Sequence, residues 1–318
     1  MTTAQASARP APDGSSAAAG APSRTRVIAA FAAVYVLWGS TYLAIRYAVE
    51  TIPPFVMAGT RFLVSGLLLY LWARRRGSER PGLVQWRDAT IAGVLMLCLG
   101  NGAVAWAERR VPSGLAALLV AVVPLWMVLI DWLRPHGVRP RSLVMVGVVA
   151  GFAGLIVLVG RGSIAGSGTV DTEAAVVLVI ASLAWASGSM FNRYGAHPAS
   201  AAMSTGLQML GGSVGLFAIG IARGEPAQLD IRGISAASWG GWIYLVTLGS
   251  LVGFTAYIFL LKSVSPAKAS TYAYVNPLVA VFLGWAVAGE PVAARTLGAA
   301  AIILSGVAMI TVSQGFSE

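Results

Sequence analysis

The chain consists mainly of repeated apolar runs of about 20 residues, and these runs limit its possible folds. Hydrophobic residues make up 57% of its 318 residues and charged residues 11%. Because lipid cannot hydrogen-bond to the backbone, each run must form a helix, and the alternating pattern of barrel strands is missing. The sequence predicts an all-α integral membrane protein with ten transmembrane helices, at 27–47, 53–73, 89–107, 112–133, 141–160, 174–193, 199–222, 236–260, 267–288 and 295–313.

The second half of the chain repeats features of the first half. Three pairs of segments correspond: 37–42 with 184–189, 59–61 with 206–208, and 111–124 with 264–277. Each half holds five predicted spans, and an odd number of crossings turns the second half upside down, as in transporters built from inverted repeats. The predicted parts are a disordered cytoplasmic N-terminus rich in Ala, Pro, Ser and Gly at 1–26, and five-helix repeats at 27–160 and 174–313.

The basic residues are distributed unequally between alternate connections. Of 22 Lys and Arg residues, fourteen fall on one side of the predicted membrane, seven on the other, and Arg61 within a span. Basic loops stay in the cytoplasm, so both termini are predicted inside a multi-pass protein of the cytoplasmic (inner) membrane. The net charge of +10 follows from this topology and from lipid headgroups, and it does not indicate a nucleic-acid partner.

The sequence offers no pattern for cofactor or metal chemistry. Cys98 lies in an apolar run, and His136 and His197 lie in predicted loops. No phosphate-binding loop, nucleophile motif or zinc spacing occurs. We therefore expect no cofactor, no metal and no enzymatic activity. The expected partners are a small-molecule substrate, membrane lipids and a proton as coupling ion, with the chain a monomer or homodimer.

These residues resemble the EamA domain of the drug/metabolite transporter superfamily. The first half opens with 35–42, Pro53-Pro54 and Arg61-Phe62, and the second half closes with 272–277, Gly289-Glu290 and Gly306. The segments that resemble the YedA-type branch are 101–102, 107–108, 111–117 and 123–125.

The resemblance covers about 27–313 and implies inverted five-helix repeats, cytoplasmic termini and secondary transport, usually export of amino acids, related metabolites or toxic compounds. The first half departs from the pattern, because 131–136 lacks the Gly-Glu pair found at 289–290. A role for a glutamate at the end of the first repeat is therefore not implied.

Arg61 is the one charge predicted deep within a span. Burying a cation in hydrocarbon costs at least about 2.5–3.5 kcal/mol, so Arg61 must face the bundle interior or a wet cavity. There it would attract a substrate carboxylate, or it would cap the carbonyls of neighbouring helices. Its counterpart in the second half, Gln208, is neutral.

Carboxylates are missing from the middle of the predicted spans. Those at or near span ends are Glu50, Glu108, Asp131, Asp171, Glu173 and Glu290. Because proton-coupled export of organic cations needs an acid at depth, the pattern favours neutral, zwitterionic or anionic cargo. Glu108, at the end of the third span, is the candidate for proton coupling. Its alternative role is as an ion-pair partner of Arg109 or Arg110.

The other candidate substrate contacts are aromatic, hydroxyl and amide side chains. They are Trp38, Thr41, Tyr42, Asn101, Trp185, Ser189, Gln208, Tyr272, Tyr274 and Asn276. Apolar walls with a few polar groups are typical of small-molecule pockets. For Trp38 and Trp185 the alternative is anchoring at the membrane interface.

Pro124 and Pro277 occupy matched positions inside the fourth and ninth spans. Proline removes a backbone hydrogen bond and bends a helix. The pair predicts two equivalent hinges, with static kinks as the alternative. Small residues at 147–154 and 249–253 predict close helix packing.

Together these features predict a secondary active transporter that exports small metabolites, such as amino acids, by alternating access. The first alternative is an exporter of drugs or toxic compounds with the same fold. A distant alternative is a membrane-embedded enzyme or a lipid-handling protein, and a passive channel is a further one.

Overall fold

A computed structural model describes residues 23–135, 139–159, 171–196, 198, 200–264 and 271–315. Across these ranges the chain is helical apart from turns and short connections, and it holds no β-strand. The prediction of an all-α protein is confirmed.

The helices follow one another with short connections, and we label the ten long ones α1 to α10, counting Ser113–Val120 and Val123–Leu133 together as α4. They are α1 Arg24–Ala48, α2 Pro54–Arg75, α3 Leu83–Ala107, α4 Ser113–Leu133, α5 Ser142–Val159, α6 Thr172–Tyr194, α7 Ala201–Ala222, α8 Ala236–Tyr244 with its continuations Leu245–Val252 and Gly253–Ser263, α9 Tyr272–Ala288 and α10 Ala294–Gly315. Within the described ranges, α1 to α4 and α6 to α8 are seven helices long and apolar enough to cross a membrane. The three shorter apolar helices are Ser142–Leu158, Tyr272–Ala288 and Ala294–Ile310.

The helices coincide with the predicted spans except at some boundaries. Helix α1 begins at Arg24, so the end of the segment predicted as disordered is helical, while residues 1–22 lie outside the described residues. Helix α3 begins at Leu83 instead of 89, because the Gln85 side chain accepts a hydrogen bond from the Gly82 N–H at 2.9 Å and caps an earlier start. The predicted start of the ninth span at 267 lies outside the described residues.

Among the helix pairs that pack backbone to backbone through glycine, two join corresponding helices of the halves. A Cβ atom on Gly66 of α2 would lie 3.0 Å from the carbonyl oxygen of Gly206 of α7, and a Cβ on Gly206 would lie 3.1 Å from the carbonyl of Gly66. Gly147 of α5 and Gly306 of α10 meet in the same way. Each pair joins helices that hold the same position in the two halves, second with second and fifth with fifth.

Most of the other contacts between helices join a helix of one half to a helix of the other half. Helix α1 packs against α8 and α9, and its counterpart α6 packs against α3 and α4. Helix α7 packs against α3, and α2 packs against α8. The first helix of each half therefore lies among the third and fourth helices of the other half.

Helices α3 and α8 share a feature that the sequence analysis did not anticipate. Each contains a π-helical stretch, Val94–Gly102 in α3 and Leu245–Val252 in α8. A π-helical stretch shifts the following side chains around the helix axis, and such stretches occur often at functional sites. Both stretches lie in the third helix of their half.

The two matched prolines differ in their local structure. Helix α4 is interrupted by a turn at Ala121 and Val122, and Pro124 is the second residue of the piece Val123–Leu133. Helix α9 continues through Pro277, which is buried in its interior. The structure therefore has a break beside one proline and an unbroken helix at the other.

Glu225 joins the end of α7 to the start of α2. It lies in the short helix Glu225–Gln228, and its carboxylate accepts hydrogen bonds from the N–H groups of Phe55 and Val56, both at 2.9 Å. Burial raises the pKa of the Glu225 carboxyl above its ordinary value, although these two hydrogen bonds and Arg223 act in the opposite direction. This cap fixes the first turn of α2, the helix that carries Arg61.

We expect Gly306→Ala to destabilise the protein, because its new Cβ would lie 2.5 Å from the carbonyl oxygen of Gly147 and would push α10 away from α5. The free energy of unfolding should fall by about 1–3 kcal/mol, the usual cost of overpacking. Thermal unfolding in detergent measures this change. Gly298→Ala in the same helix is the control, since no atom lies within 4 Å of its Cβ position. Equal melting temperatures for the two variants would contradict the close α5–α10 contact.

Candidate functional site

Arg61 is buried in α2, with 3% of its surface exposed. Its Nε donates to the Ser250 hydroxyl at 3.1 Å, and its Nη1 donates to the Asn101 side-chain oxygen at 3.5 Å. Both partners are neutral, and among the described residues no carboxylate forms an ion pair with Arg61. The guanidinium is thus not engaged in an ion pair among the described residues, and it has donors left for an anionic group.

The two π-helical stretches supply the partners of Arg61. Asn101 belongs to the stretch in α3 and Ser250 to the stretch in α8, so each half contributes one of them. Asn101 was predicted as a substrate contact, whereas Ser250 was not and lies in the segment 249–253 that was predicted to serve helix packing. The signal available was position, because Ser250 holds in the second half nearly the place that Asn101 holds in the first.

Gly249 is the point on which three predicted site residues converge. Trp38 donates from its indole nitrogen to the Gly249 carbonyl at 3.2 Å. A Cβ atom on Gly249 would lie 3.1 Å from the Thr41 methyl carbon and 3.5 Å from Nη2 of Arg61. A side chain at this position would occupy the space between Trp38, Thr41 and Arg61.

Trp38 belongs to a cluster of four aromatic rings. The Trp38 ring lies 5.2 Å from the ring of Phe254, 5.0 Å from Tyr257 and 5.1 Å from Tyr272, measured between centroids. Tyr257 and Tyr272 contact each other edge to face at 5.6 Å. Trp38 is therefore inside the bundle and not an exposed interfacial anchor. Phe254 and Tyr257 were not predicted.

Trp185 lies beside Gly100, the residue that precedes Asn101. A Cβ atom on Gly100 would lie 3.1 Å from the Trp185 ring, so the indole covers the residue next to Asn101. The Ser189 hydroxyl donates to the carbonyl of Trp185 within α6 at 2.8 Å. Trp185 thus contacts the π-helical stretch of α3 as Trp38 contacts that of α8.

Gln208 does not join Arg61. Its amide donates to the side-chain oxygen of Asn192 at 2.9 Å and to the Ser204 hydroxyl at 3.2 Å. Arg61 comes early in α2 and Gln208 early in α7, and these two helices run in opposite directions where they pack. The two side chains therefore lie at different levels along the helix pair.

Tyr274 and Asn276 lie near the start of α9. Tyr274 hydrogen-bonds to Thr271, whose hydroxyl also contacts the Tyr35 hydroxyl at 2.5 Å. Asn276 is buried, and its side-chain oxygen has no hydrogen-bond partner among the described residues. Its backbone carbonyl faces Gly39 of α1.

Glu108 is buried at the end of α3, with 1% of its surface exposed, and neither carboxylate oxygen has a hydrogen-bond partner among the described residues. It interacts electrostatically with Glu290, Arg46, Arg61 and Tyr42. Arg110 does not pair with it, since Arg110 bonds instead to Glu173 at 2.5 Å. Glu108 is thus an acid close to Arg61 and not an exposed ion-pair partner.

Glu290 holds the start of α4. Its carboxylate accepts hydrogen bonds from the backbone N–H and hydroxyl of Ser113 at 2.9 and 3.1 Å, and from the Gly114 N–H at 3.2 Å. Nε of Arg46 lies 3.4 Å from the same carboxylate. Glu290 therefore joins the ends of α9, α4 and α1, a role that its position near a span end did not reveal.

No group of three His, Cys, Asp or Glu residues that could hold a metal occurs in the described ranges. Cys98 is buried against Gly215. His136 and His197 lie outside the described residues.

Comparisons with known proteins agree with the resemblance noted in the sequence. The EamA-like transporter family matches residues 25–160 and 172–312. The uncharacterized inner membrane transporter YedA of Escherichia coli K12 is 38% identical over 285 residues, covering 89% of each chain. The uncharacterized transporter YvbV of Bacillus subtilis is 25% identical over 296 residues, 90% of this chain and 92% of that one. Protein PecM of Dickeya dadantii is 25% identical over 252 residues, 78% and 80% of the two chains.

A solved crystal structure shares the fold, with a TM-score of 0.60 and 19% identity over 91% of this chain and 98% of that chain. The helical arrangement is thus one already seen by experiment. With the family matched over nearly the whole length and a relative at 38% identity, the chain belongs to the EamA-like transporter family.

Proposed function

We propose that this chain is a secondary active transporter that exports small metabolites, amino acids or related compounds, across the cytoplasmic membrane by alternating access. The observation that carries this proposal is Arg61, a buried cation held by one neutral partner from each half. A site built from both halves can be exposed to either side when the halves rock against each other. The names of the relatives YedA and YvbV, both called transporters, support the same class.

The proposed architecture is ten transmembrane helices in two inverted repeats, at 27–160 and 174–313, after a disordered cytoplasmic segment. The exchange of packing partners between halves supports it, as does the antiparallel meeting of α2 with α7 and of α5 with α10. The excess of arginine on one side supports cytoplasmic termini. The relative YedA is named an inner membrane transporter, which supports that location here.

The proposed cargo is a small molecule with a carboxylate. Arg61 would bind the carboxylate, and its planar guanidinium suits two-point contact with such a group. Trp38, Thr41, Tyr42, Tyr272, Tyr274 and Asn276 would line one wall, and Asn101, Trp185 and Ser189 the other. Gln208 belongs to the proposed path of the cargo at another level of the bundle and not to the Arg61 contact.

Glu108 is the proposed proton-coupling residue. It is a buried carboxyl whose oxygens have no hydrogen-bond partner among the described residues, and it interacts with Arg61. Proton uptake at Glu108 would change the field at Arg61 and thereby the affinity for an anionic group.

The tyrosines around Trp38 also favour a second candidate, export of apolar drugs or toxic compounds by the same fold.

Arg61→Ala should weaken binding of a carboxylate-bearing substrate by about 10- to 100-fold, the usual loss for a charge-assisted hydrogen bond. Arg61→Lys should retain part of the affinity, because lysine keeps the charge but loses the planar fork. Ligand-induced shifts in melting temperature, measured in detergent with a panel of amino acids and their amides, report binding.

Arg232→Ala, at an exposed arginine, serves as the control and should bind normally. A folded Arg61→Ala protein with unchanged affinity for amino acids would contradict the carboxylate anchor. If Arg61→Ala does not fold, Arg61→Lys is compared with the parent protein in its preference for amino acids over their amides. An equal preference in the two proteins would mean that the planar guanidinium of Arg61 makes no specific contact with the carboxylate.

Glu108→Gln should abolish accumulation driven by a pH gradient while leaving exchange of substrate across the membrane intact. The amide keeps the shape of the side chain but cannot take up and release a proton. Uptake into proteoliposomes with and without an imposed pH gradient measures both activities. Glu173→Gln, at an exposed carboxylate, should change neither. Persistent gradient-driven accumulation in Glu108→Gln would rule out this coupling role.

The prolines should act as opposed hinges, because α4 is broken beside Pro124 while α9 continues through Pro277. In a background with Cys98→Ala, single cysteines at Tyr42 and Ser189 report access from the two ends. Pro124→Ala and Pro277→Ala should shift their labelling in opposite directions, and the double variant should return towards the parent. A bias of 1.4 kcal/mol would change the ratio of states about tenfold.

Shifts in the same direction, or none in folded proteins, would leave the prolines as static kinks. Pro81→Ala, in the connection 76–82 between α2 and α3, is the control and should shift neither label. The proposed topology is tested in the same Cys98→Ala background. A cysteine in place of Ser78, on the predicted cytoplasmic side, should not react with an impermeant thiol reagent added outside intact cells. A cysteine in place of Asp230, on the predicted outer side, should react. The reverse pattern would contradict cytoplasmic termini.

A further inference from the structure

A groove of about 760 Å³ opens on the outer surface of the bundle between α2, α7 and α8. Its α2 wall is the stripe Leu68, Leu71, Trp72 and Arg75, with Leu69 beside it. Residues 200–202 close one side, and Leu251, Phe254 and Thr255 of α8 form another wall. Leu68, Leu71 and Trp72 are about half exposed, so the groove opens to the surroundings of the protein.

The groove is apolar along its length and basic at one end. Arg75 lines it at the end of α2, and the Arg76 guanidinium lies 5.5 Å from the ring of Trp72, which also lines it. Arg74 donates to the backbone carbonyl of Ser78. No ion pair in the described part of the chain engages Arg75 or Arg76. A ligand that combines an alkyl chain with an anionic head matches this arrangement.

We propose that the groove binds an anionic phospholipid, with an acyl chain along Leu68, Leu71 and Phe254 and the phosphate on Arg75 and Arg76. Basic pockets between transmembrane helices at the membrane surface are suited to anionic headgroups, and guanidinium groups bind phosphate in a two-point manner. The tryptophan at the same end suits the interface where headgroups lie. A zwitterionic phospholipid would place its ammonium group near two arginines for which the described residues provide no ion pair.

The groove also borders the proposed transport site. Phe254 lines the groove, and its ring centroid lies 5.2 Å from that of Trp38, which donates a hydrogen bond to the carbonyl of Gly249 beside Arg61. An acyl chain in the groove would therefore support the wall formed by Phe254. Binding of the lipid itself does not depend on the proposed transport activity and is measured without it.

Native mass spectrometry of the full chain in detergent tests the proposal, with phosphatidylglycerol and phosphatidylethanolamine of identical acyl chains as probes. We expect phosphatidylglycerol to be retained preferentially. The double variant Arg75→Gln/Arg76→Gln should lower its retention about tenfold. The control Arg24→Gln/Arg26→Gln removes the same charge from the start of α1 and should retain the lipid.

A second pair of variants blocks the groove without changing charge. Thr255→Trp fills it, while Thr247→Trp is a matched control on α8, because both threonines are exposed and donate to the carbonyl four residues earlier. Thr255→Trp should lose the lipid and Thr247→Trp should keep it. The proposal would be overturned if the protein retained the two lipids equally, or if either Thr255→Trp or the Arg75/Arg76 double change left lipid retention unchanged. It would also be overturned if the spectra showed a dimer of this chain instead of a lipid complex, and Thr255→Trp dissociated that dimer.

Discussion

The interior of this protein is organised around a buried cation, Arg61. A cation in hydrocarbon costs at least about 2.5–3.5 kcal/mol, so the surrounding structure has to offer it polar atoms. Ser250 and Asn101 provide them, each from a π-helical stretch in the third helix of its half. Gly249 leaves the space next to the guanidinium open. The two π-helical stretches, Gly249 and Arg61 therefore form a single site, to which both halves of the chain contribute residues.

Much of the helical framework could be predicted from the sequence, because apolar runs of membrane length have few alternatives. Arg61 and Asn101 were identifiable as polar residues within such runs. The π-helical stretches were not, since an inserted residue leaves no mark in the apolar pattern. Glu290 and Glu225 were also not identifiable, because each caps a helix more than 160 residues away in the chain. Gln208 was grouped with Arg61 by sequence correspondence, and the opposite directions of α2 and α7 separate the two.

The ends of α9 and α4, corresponding helices of the two halves, make different contacts. At the end of α9, Glu290 joins that helix to α4 and meets Arg46 of α1. At the end of α4, where the first half lacks the Gly-Glu pair, Asp131 pairs locally with Arg134 at 2.8 Å. The break beside Pro124 without a matching break at Pro277 adds to this difference. Unequal conformations of corresponding helices are what two halves that take turns in opening would present.

Alternating access around Arg61 is tested most directly by counterflow. Proteoliposomes loaded with an unlabelled amino acid are diluted into buffer that contains a trace of the labelled compound, with no ion gradient. A carrier that exposes one site to each side in turn predicts a transient accumulation of label above its external concentration, and this overshoot should disappear in Arg61→Ala. The contrary result is that the internal label only rises to its external concentration, at a rate that does not depend on the internal amino acid. If this holds for every member of the panel, it would contradict alternating access.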